Sequence, residues 1–97
     1  MYTVEFHEDV KKDLKELGHS TTALVLKKLQ KISLNPLIGD KLGNKGNNNL
    51  AGFRKIYIEN KRVRIVYKII DDKIEIFVIA VGKRDDMEVY KKAQDRI

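Results

Sequence analysis

The spacing of apolar residues predicts a strand and two helices in the first third of the chain. Apolar and polar residues alternate over residues 2–6, as in a half-buried strand. From Glu8 the apolar residues recur at helical spacing, and this helix ends at Gly18. A second helix is capped by a hydroxyl among residues 20–22 and ends before Asn35-Pro36, because the residue preceding a proline avoids helical backbone angles. The predicted buried stripes are Val10, Leu14 and Leu17 on the first helix, and Val25, Leu29 and Ile32 on the second.

The rest of the chain predicts three strands and a last helix. Residues 35–52 contain the only proline and four of the six glycines, which indicates a loop. The strand-like runs are Phe53–Ile58, Arg62–Ile70 and Lys73–Val81, separated by the two-residue turns Asn60-Lys61 and Asp71-Asp72. The final helix is capped by Asp85 or Asp86. Its thin apolar stripe consists of Val89, Ala93 and Ile97.

The order of these elements, β-α-α-β-β-β-α, predicts an α+β fold made of one domain, residues 1–97. We expect the helices on one face of a mainly antiparallel four-stranded sheet, with the N-terminal helical hairpin packed against that face. The longest apolar run, Ile76–Val81, is far short of the roughly 20 residues that cross a bilayer, so no membrane association is expected. The absence of cysteine excludes disulfide scaffolds, thiolate metal sites and cysteine nucleophiles. Together with the lack of a signal-peptide pattern, it favours the cytoplasm.

Positive charge is concentrated in one segment. The chain has 20 Lys and Arg against 14 Asp and Glu, a net charge of +6. Residues 41–68 hold eight of the basic residues and a single acid, Glu59, so the rest of the chain is slightly acidic. Such a concentration is typical of a surface that binds a polyanion, whereas the alternative is a sheet edge that charges protect from aggregation. We favour nucleic-acid binding.

Strand alternation indicates which basic residues share a face of the sheet. With two-residue turns, Tyr57 pairs with Arg64 in the first hairpin, and Arg64 pairs with Ile79 in the second. The predicted helix-facing residues are Ile56, Ile58, Val63, Ile65, Tyr67, Ile69, Ile74, Ile76 and Val78. The opposite side, called here the basic face, holds Lys55, Tyr57, Arg62, Arg64 and Lys68, backed by Val66, Phe77 and Ile79. A face that combines basic and aromatic side chains can hold a single-stranded RNA backbone and stack a base.

RNA cleavage needs few catalytic groups, because RNA carries its own nucleophile, the 2′-hydroxyl. An enzyme must remove that proton, stabilise the charge on phosphorus and protonate the leaving 5′-oxygen. A guanidinium suits the second task, and a lysine or tyrosine can be the base where neighbouring cations lower its pKa. The other titratable residues offer no rival site. His7 and His19 are interpreted as structural or surface residues, the aspartate pairs as a turn and a helix cap, and no glycine-rich phosphate loop follows a strand.

Three motifs resemble one protein family. They are Val63–Tyr67 (VRIVY), Phe77–Arg84 (FVIAVGKR) and Glu88–Tyr90 (EVY), and together they resemble the RelE toxins of bacterial toxin–antitoxin systems. The resemblance is densest over Phe53–Ile97 and follows the element order of the whole chain. It implies a RelE-like fold and an mRNA interferase that cleaves mRNA in the ribosomal A site, without metal or cofactor. It also implies three partners: a RelB-like antitoxin, operator DNA bound by the toxin–antitoxin complex, and the 70S ribosome.

The resemblance also assigns site residues. Lys55 corresponds to a family lysine at the reacting phosphate, Arg64 to the arginine that stabilises the transition state, and Arg84 to the arginine at the leaving group. Tyr90 matches a C-terminal tyrosine that stacks on or orients the substrate. Tyr57 replaces the family's second strand lysine, so the base is Lys55 or Tyr57, with Tyr90 stacking or sharing that role.

Seven further basic residues are expected to bind the RNA backbone. They are Lys41, Lys45, Arg54, Lys61, Arg62, Lys68 and Lys83. Strand alternation nevertheless points Arg54 away from the basic face. We expect the antitoxin to cover the basic face or to displace the last helix.

Two other functions fit parts of the pattern. A ParE-like toxin would keep the fold but inhibit gyrase without cutting RNA, and the replacement at Tyr57 leaves room for it. A small non-catalytic RNA-binding module would bind RNA with an affinity that falls steeply with salt, and would not cleave it.

Overall fold

The computed structural model describes residues 1–45, 48–83 and 88–97. Its helices are α1 (Val10–Leu17), α2 (His19–Leu34) and α3 (Glu88–Asp95). Its strands are β1 (Thr3–Phe6), β2 (Asp40–Lys41), β3 (Asn44–Lys45), β4 (Asn48–Asn49), β5 (Phe53–Ile58), β6 (Val63–Ile70) and β7 (Glu75–Lys83). Single 3-10 turns at Pro36–Ile38 and Asp71–Lys73 precede β2 and β7. Within the described residues, no helix is long and apolar enough to span a membrane.

Five strands form the central sheet in the order β1-β7-β6-β5-β2, with β1 parallel to β7 and the other neighbours antiparallel. The predicted α+β fold and mainly antiparallel sheet are confirmed, but the sheet has five strands and not four. The additional edge strand comes from the predicted loop of residues 35–52, because Asp40 pairs with Lys55 and Lys41 with Arg54. The same segment forms a separate small hairpin, β3 with β4.

A buried tyrosine explains why this segment joins the sheet. The Tyr67 hydroxyl donates to the Pro36 carbonyl at 2.7 Å and accepts from the Gly39 amide at 3.0 Å. Burial raises the pKa of Tyr67, which keeps its hydroxyl protonated as a donor. A Cβ atom at Gly39 would collide with this hydroxyl and would lie 2.8 Å from the Lys55 carbonyl oxygen. Only glycine lets the chain pass this closely and enter β2.

The helical hairpin has the predicted ends but not the predicted cap. α1 ends at Gly18, and α2 ends at Leu34, immediately before Asn35. The predicted hydroxyl cap among residues 20–22 is wrong, because α2 already begins at His19. Gly18 has a φ of 88°, which a glycine adopts without strain, so the chain turns within one residue and starts the second helix at once.

Apolar side chains are buried in two clusters on opposite faces of the sheet. The cluster under α1 and α2 consists of Val10, Val25, Leu29, Ile32, Ile58, Val63, Ile65, Tyr67, Ile76, Val78 and Val81. The cluster under α3 consists of Leu42, Leu50, Phe53, Val66, Ile79, Ala80, Val89, Tyr90 and Ala93. The predicted helix-facing set lies in or against the first cluster, except for the exposed Ile74.

The prediction that the helices share one face is therefore wrong for α3. This helix covers the apolar end of the basic face, where Val66 and Ile79 need a partner layer. Ile97, predicted as part of its buried stripe, is 66% exposed. The predicted cap of this helix, Asp85 or Asp86, lies outside the described residues.

The register of the β5–β6 hairpin is confirmed. Tyr57 lies opposite Arg64, and the amide of Arg62 donates to the carbonyl of Glu59 at 3.0 Å across the turn. The two residues between them, Asn60 and Lys61, both have positive φ, as in the turns that join two-residue hairpins.

The predicted register of the β6–β7 hairpin is wrong. The connection has four residues and not two, because the 3-10 turn Asp71–Lys73 is followed by Ile74 with a φ of 51°. A β-bulge at Ile79 then shifts the pairing by one more residue. As a result, Arg64 lies opposite Gly82 instead of Ile79.

Candidate functional site

Four of the predicted catalytic residues converge on the basic face. Lys55 and Tyr57 lie two residues apart on β5 and share a side of the strand, and Arg64 lies opposite Tyr57 on β6. Tyr90 reaches the same place from α3. The Lys55 ammonium donates to the Tyr57 hydroxyl at 2.7 Å and lies 4.7 Å from the centre of the Tyr57 ring. We call these four residues the central cluster.

The Arg64 guanidinium lies beside two aromatic rings. Its Cζ atom is 4.8 Å from the centre of the Tyr90 ring and 5.4 Å from the centre of the Tyr57 ring. Arg64 is 9% exposed, and its Nε and Nη1 atoms have no hydrogen-bond partner among the described residues. Buried donors of this kind are normally paired, because leaving one unpaired costs free energy. Free N–H donors on a permanently charged group are what a phosphate ligand requires.

The two tyrosines of the central cluster differ in acidity. The hydrogen bond from Lys55 lowers the pKa of Tyr57 below its usual value of 10.0. Burial opposes this effect in part, and the charge of Arg64 lowers the pKa further. Burial raises the pKa of Tyr90, although the nearby cations Arg64 and Lys55 partly oppose this. Tyr57 is therefore the tyrosine that more readily gives up its proton.

Three of the predicted RNA-binding residues lie beside the central cluster as exposed cations, and a fourth lies on the other side of the sheet. Lys68 follows Arg64 on the same side of β6, with its ammonium 5.6 Å from the centre of the Phe53 ring. Lys61 and Arg62 lie in the β5–β6 connection. Lys83, at the end of β7, is exposed as well, but it lies opposite Val63, which belongs to the cluster under α1 and α2, so it lies on the other side of the sheet. Lys61, Arg62 and Lys68 extend the positive surface along the sheet.

The remaining predicted residues lie elsewhere or cannot be placed. Arg54 projects from the opposite side of β5, as alternation predicted, and its Nη1 donates to the Gly39 carbonyl at 2.8 Å. Lys41 lies on the edge strand β2 and pairs with Arg54 of β5, so its side chain lies on the same side of the sheet as that of Arg54. Lys45 belongs to β3. Arg84 lies outside the described residues.

Both histidines lie next to the helical hairpin along the chain, His7 just before α1 and His19 at the start of α2. The Asp9 amide donates to His7 Nδ1 at 3.0 Å where β1 leads into α1, and His19 is exposed at the start of α2. Within the part of the chain that the structure describes, no group of three or more His, Cys, Asp or Glu residues is placed to hold a metal ion.

Sequence analysis missed a buried ion pair beside the second cluster of apolar residues. Asp13 on α1 is 2% exposed, and Arg96, directly after α3, donates to both of its carboxylate oxygens, at 2.7 and 3.0 Å. A signal was present, because Asp13 lies three residues after Val10 and one before Leu14, on the apolar side of the helix. A carboxylate in that position needs a partner.

Comparisons with known proteins agree with this geometry. A family profile described as the ParE toxin of the type II toxin–antitoxin system parDE matches residues 4–88. The mRNA interferase toxin RelE of Escherichia coli (strain K12) is 35% identical over 97 residues, which cover 99% of this chain and 97% of that protein. A mutant of E. coli RelE solved in the free state superposes with a TM-score of 0.79 at 35% identity, with 99% and 97% of the two chains covered. The same toxin in complex with a peptide of the antitoxin RelB superposes with a TM-score of 0.72, with the same identity and coverage.

Proposed function

The chain belongs to the RelE/ParE superfamily of type II toxins, as a RelE-type member, and we propose that it is an endoribonuclease that inhibits translation by cleaving mRNA in the ribosomal A site. The relatives named as mRNA interferases support ribonuclease activity. The observation that carries the proposal for this chain is the central cluster, in which the buried Arg64 contacts two tyrosines and its Nε and Nη1 atoms have no hydrogen-bond partner among the described residues.

The proposed reaction uses the 2′-hydroxyl of the RNA and needs neither a metal nor a cofactor. The 2′-oxygen attacks the adjacent phosphorus, and the bond to the 5′-oxygen of the next nucleotide breaks, so the products carry a 2′,3′-cyclic phosphate and a 5′-hydroxyl. Arg64 donates to the phosphate oxygens, where negative charge develops. Arg84, assigned by its position in the family motif, stabilises or protonates the leaving oxygen.

Tyr57 is the proposed general base. Its lowered pKa and its hydrogen bond from Lys55 favour the phenolate, which accepts the proton of the 2′-hydroxyl. Lys55, whose Nζ donates to the Tyr57 oxygen, supports both the phenolate and the phosphate. Tyr90 keeps its own proton because burial raises its pKa, and it orients Arg64 and the substrate instead.

The ribosome is expected to be needed because these acid–base groups are weak. The ordinary pKa values of tyrosine and arginine lie well above neutral pH, so these side chains transfer protons inefficiently at that pH. Free RNA, which reaches the site in many orientations, is therefore expected to be a poor substrate. A ribosome that holds one codon in a fixed geometry supplies the missing orientation. The exposed cations around the central cluster, such as Lys61 and Lys68, provide contacts for a polyanionic surface.

A RelB-like antitoxin is the proposed inhibitor, because E. coli RelE forms a complex with a RelB peptide. It would act by covering the basic face or displacing α3, and the toxin–antitoxin complex would bind operator DNA. Ribosomes and operator DNA are partners found in the bacterial cytoplasm, so we propose that the protein acts there.

The experiment that tests the proposed function is primer extension on mRNA bound to programmed 70S ribosomes. We expect cuts confined to the A-site codon for the wild-type protein and little cleavage of ribosome-free mRNA. Replacement of Arg64 by alanine should lower the cleavage rate by about 10²–10³-fold, the usual effect of removing a group that stabilises the transition-state charge.

The matched control for Arg64→Ala is Lys73→Ala. Lys73 is an exposed cation in the β6–β7 connection, and β6 separates it from Arg64 by about 20 Å at 3.3 Å per residue. The cleavage rate of the Lys73→Ala variant should stay within about twofold of the wild-type rate, as for a surface substitution away from the site. Intact mRNA with well-folded wild-type protein would contradict the proposal.

Gyrase inhibition is the second candidate function, because the matching family profile is described as a ParE toxin and because Tyr57 departs from the RelE motif. A DNA supercoiling assay with purified gyrase separates the two. Inhibition of supercoiling without any mRNA cleavage would favour the ParE-like function, and RNA binding without either effect would favour a non-catalytic module.

A further inference from the structure

A buried carboxylate outside the central cluster joins three elements of the fold. Asp13 Oδ2 on α1 accepts from the Val81 amide of β7 at 3.0 Å and from Arg96 Nη1 at 2.7 Å. Its Oδ1 accepts from Arg96 Nη2 at 3.0 Å, and Arg96 Nη1 also donates to the Ile79 carbonyl at 3.0 Å. The side chains are 1% exposed for Asp13 and 11% for Arg96. An ion pair held this way, in a fixed fork between buried groups, restrains direction as well as distance.

Helix α3 connects this ion pair to Tyr90. The Arg96 amide donates to the Lys92 carbonyl at 3.1 Å, which continues the hydrogen bonding of α3, so Arg96 moves with that helix. Tyr90 lies six residues earlier, about 9 Å along the helix axis at 1.5 Å per residue. Its ring is 1% exposed and covers Arg64 at 4.8 Å. A tilt of α3 at its C-terminal end therefore moves Tyr90 against Arg64.

The apolar contacts of α3 are limited. Among its described side chains, Val89, Tyr90 and Ala93 are buried, and Ile97 beyond its end is 66% exposed. A helix of eight residues has little stability of its own and depends on tertiary contacts. The ion pair with Asp13 supplies the contact that the short apolar face lacks.

We propose that Asp13 and Arg96 are positioning residues that fix α3 where Tyr90 caps Arg64. Neither residue belongs to the central cluster, so both would act through the position of Tyr90. Their effect on cleavage rests on the proposed function, whereas their effect on the position of α3 does not.

Three variants test this proposal. Asp13→Asn keeps the size of the side chain and an oxygen that can accept from the Val81 amide, but removes the charge that Arg96 binds. Arg96→Lys keeps the positive charge but loses the fork. Glu16→Gln is the matched control, since it makes the same carboxylate-to-amide change three residues further along α1. The Glu16 side chain is 71% exposed, and its 3.6 Å ion pair with Lys92 is a solvent-exposed contact that contributes little to stability.

The first readout is the state of α3 itself, measured by amide hydrogen exchange and by NMR titration of carbon-labelled Tyr90. In Asp13→Asn and Arg96→Lys, exchange of the α3 amides should become about tenfold faster or more. The pKa of Tyr90, which burial raises, should fall toward its usual value of 10.0. Glu16→Gln should match the wild-type protein in both measurements.

The second readout is cleavage on programmed ribosomes. Both variants should lower kcat, by up to about 100-fold, as expected when a group near the reacting atoms is misplaced by an ångström or so. KM should stay within about twofold, because the exposed cations that bind the ribosome are unchanged. If Asp13 and Arg96 only stabilised the fold, the variants would contain less folded protein. The kcat, the KM and the Tyr90 titration of the folded fraction would then equal those of the wild-type protein.

Two results would overturn the proposal. One is wild-type exchange and Tyr90 titration in both variants, and the other is faster exchange with unchanged kcat. If Asp13→Asn does not fold, Arg96→Lys decides by the same criteria, because its side chain lies closer to the surface. If the wild-type protein does not cleave mRNA, the proposed function fails, while exchange and titration still decide whether Asp13 and Arg96 position α3.

Discussion

At the scale of single residues, the 2.7 Å hydrogen bond from Lys55 to Tyr57 sets the acidity of that tyrosine. A cation that donates to a phenol stabilises the phenolate, so this contact and the charge of Arg64 lower the pKa of Tyr57. Tyr90 contacts the same guanidinium and has a raised pKa because it is buried. Two tyrosines beside one arginine thus have environments that push their pKa values apart, which is how a site separates a base from a group that stays protonated.

Tyr57→Phe should lower the single-turnover cleavage rate by about 10²–10⁴-fold, the usual contribution of a general base. In the wild-type protein the rate should rise with pH as the Tyr57 phenol ionises, with a midpoint below 10.0 because its pKa is lowered. Lys55→Gln removes the main cause of that lowering, so the rising limb should move to higher pH. The measurement is the pH–rate profile on programmed ribosomes.

Tyr2→Phe is the matched control for this prediction. Tyr2 packs against the cluster under α1 and α2, on the other face of the sheet from Tyr57, so its rate and pH profile should be those of wild type. A Tyr57→Phe variant that cleaves at the wild-type rate with the wild-type profile would show that the base is another group, with Lys55 the next residue to test.

At the scale of secondary-structure elements, the packing of α3 against β7 depends on a glycine. Gly82 lies opposite Arg64, and a Cβ atom there would be 3.1 Å from Cβ and 3.3 Å from Cγ2 of Val89. Contacts this short require α3 to move away from the strand. α3 therefore approaches the sheet closely beside the arginine that Tyr90 contacts.

Gly82→Ala should destabilise the protein by about 1–3 kcal/mol, as overpacking of a tight contact usually does. The free energy of unfolding, measured by urea denaturation, checks this. Gly43→Ala is the matched control, since an added Cβ there has no atom within 4 Å, and it should change stability by less than about 0.5 kcal/mol. Equal stability of the Gly82→Ala variant and the wild type would contradict the close approach of α3.

Local patterns predicted the elements better than their connections. The β5–β6 register was correct because Asn60 accepts positive φ readily, which fixes a two-residue turn. The β6–β7 register was wrong because a β-branched residue, Ile74, takes the positive φ of a longer turn, and no local preference signals that. The bulge at Ile79 and the pairing of β2 with β5 also depend on contacts between distant parts of the chain.

At the scale of the whole molecule, the sheet has a helical hairpin on one face and a basic face that α3 covers at one end. Alternation along β5 and β6 was enough to bring Lys55, Tyr57 and Arg64 together. The resemblance to RelE toxins assigned Tyr90, but the predicted layering placed its helix on the wrong face. The Asp13–Arg96 pair joins residues 83 positions apart, which one sequence does not reveal.

The most direct test of the central claim is single-turnover cleavage of two ribosome-bound mRNAs that differ by one atom. One is all-ribose, and the other has a 2′-deoxyribose at the nucleotide that supplies the nucleophile in the A-site codon. We predict that the wild-type protein cleaves the first, leaves a 2′,3′-cyclic phosphate, and does not cleave the second at that position. Failure to cleave the all-ribose mRNA, or equal cleavage of both, would contradict the account.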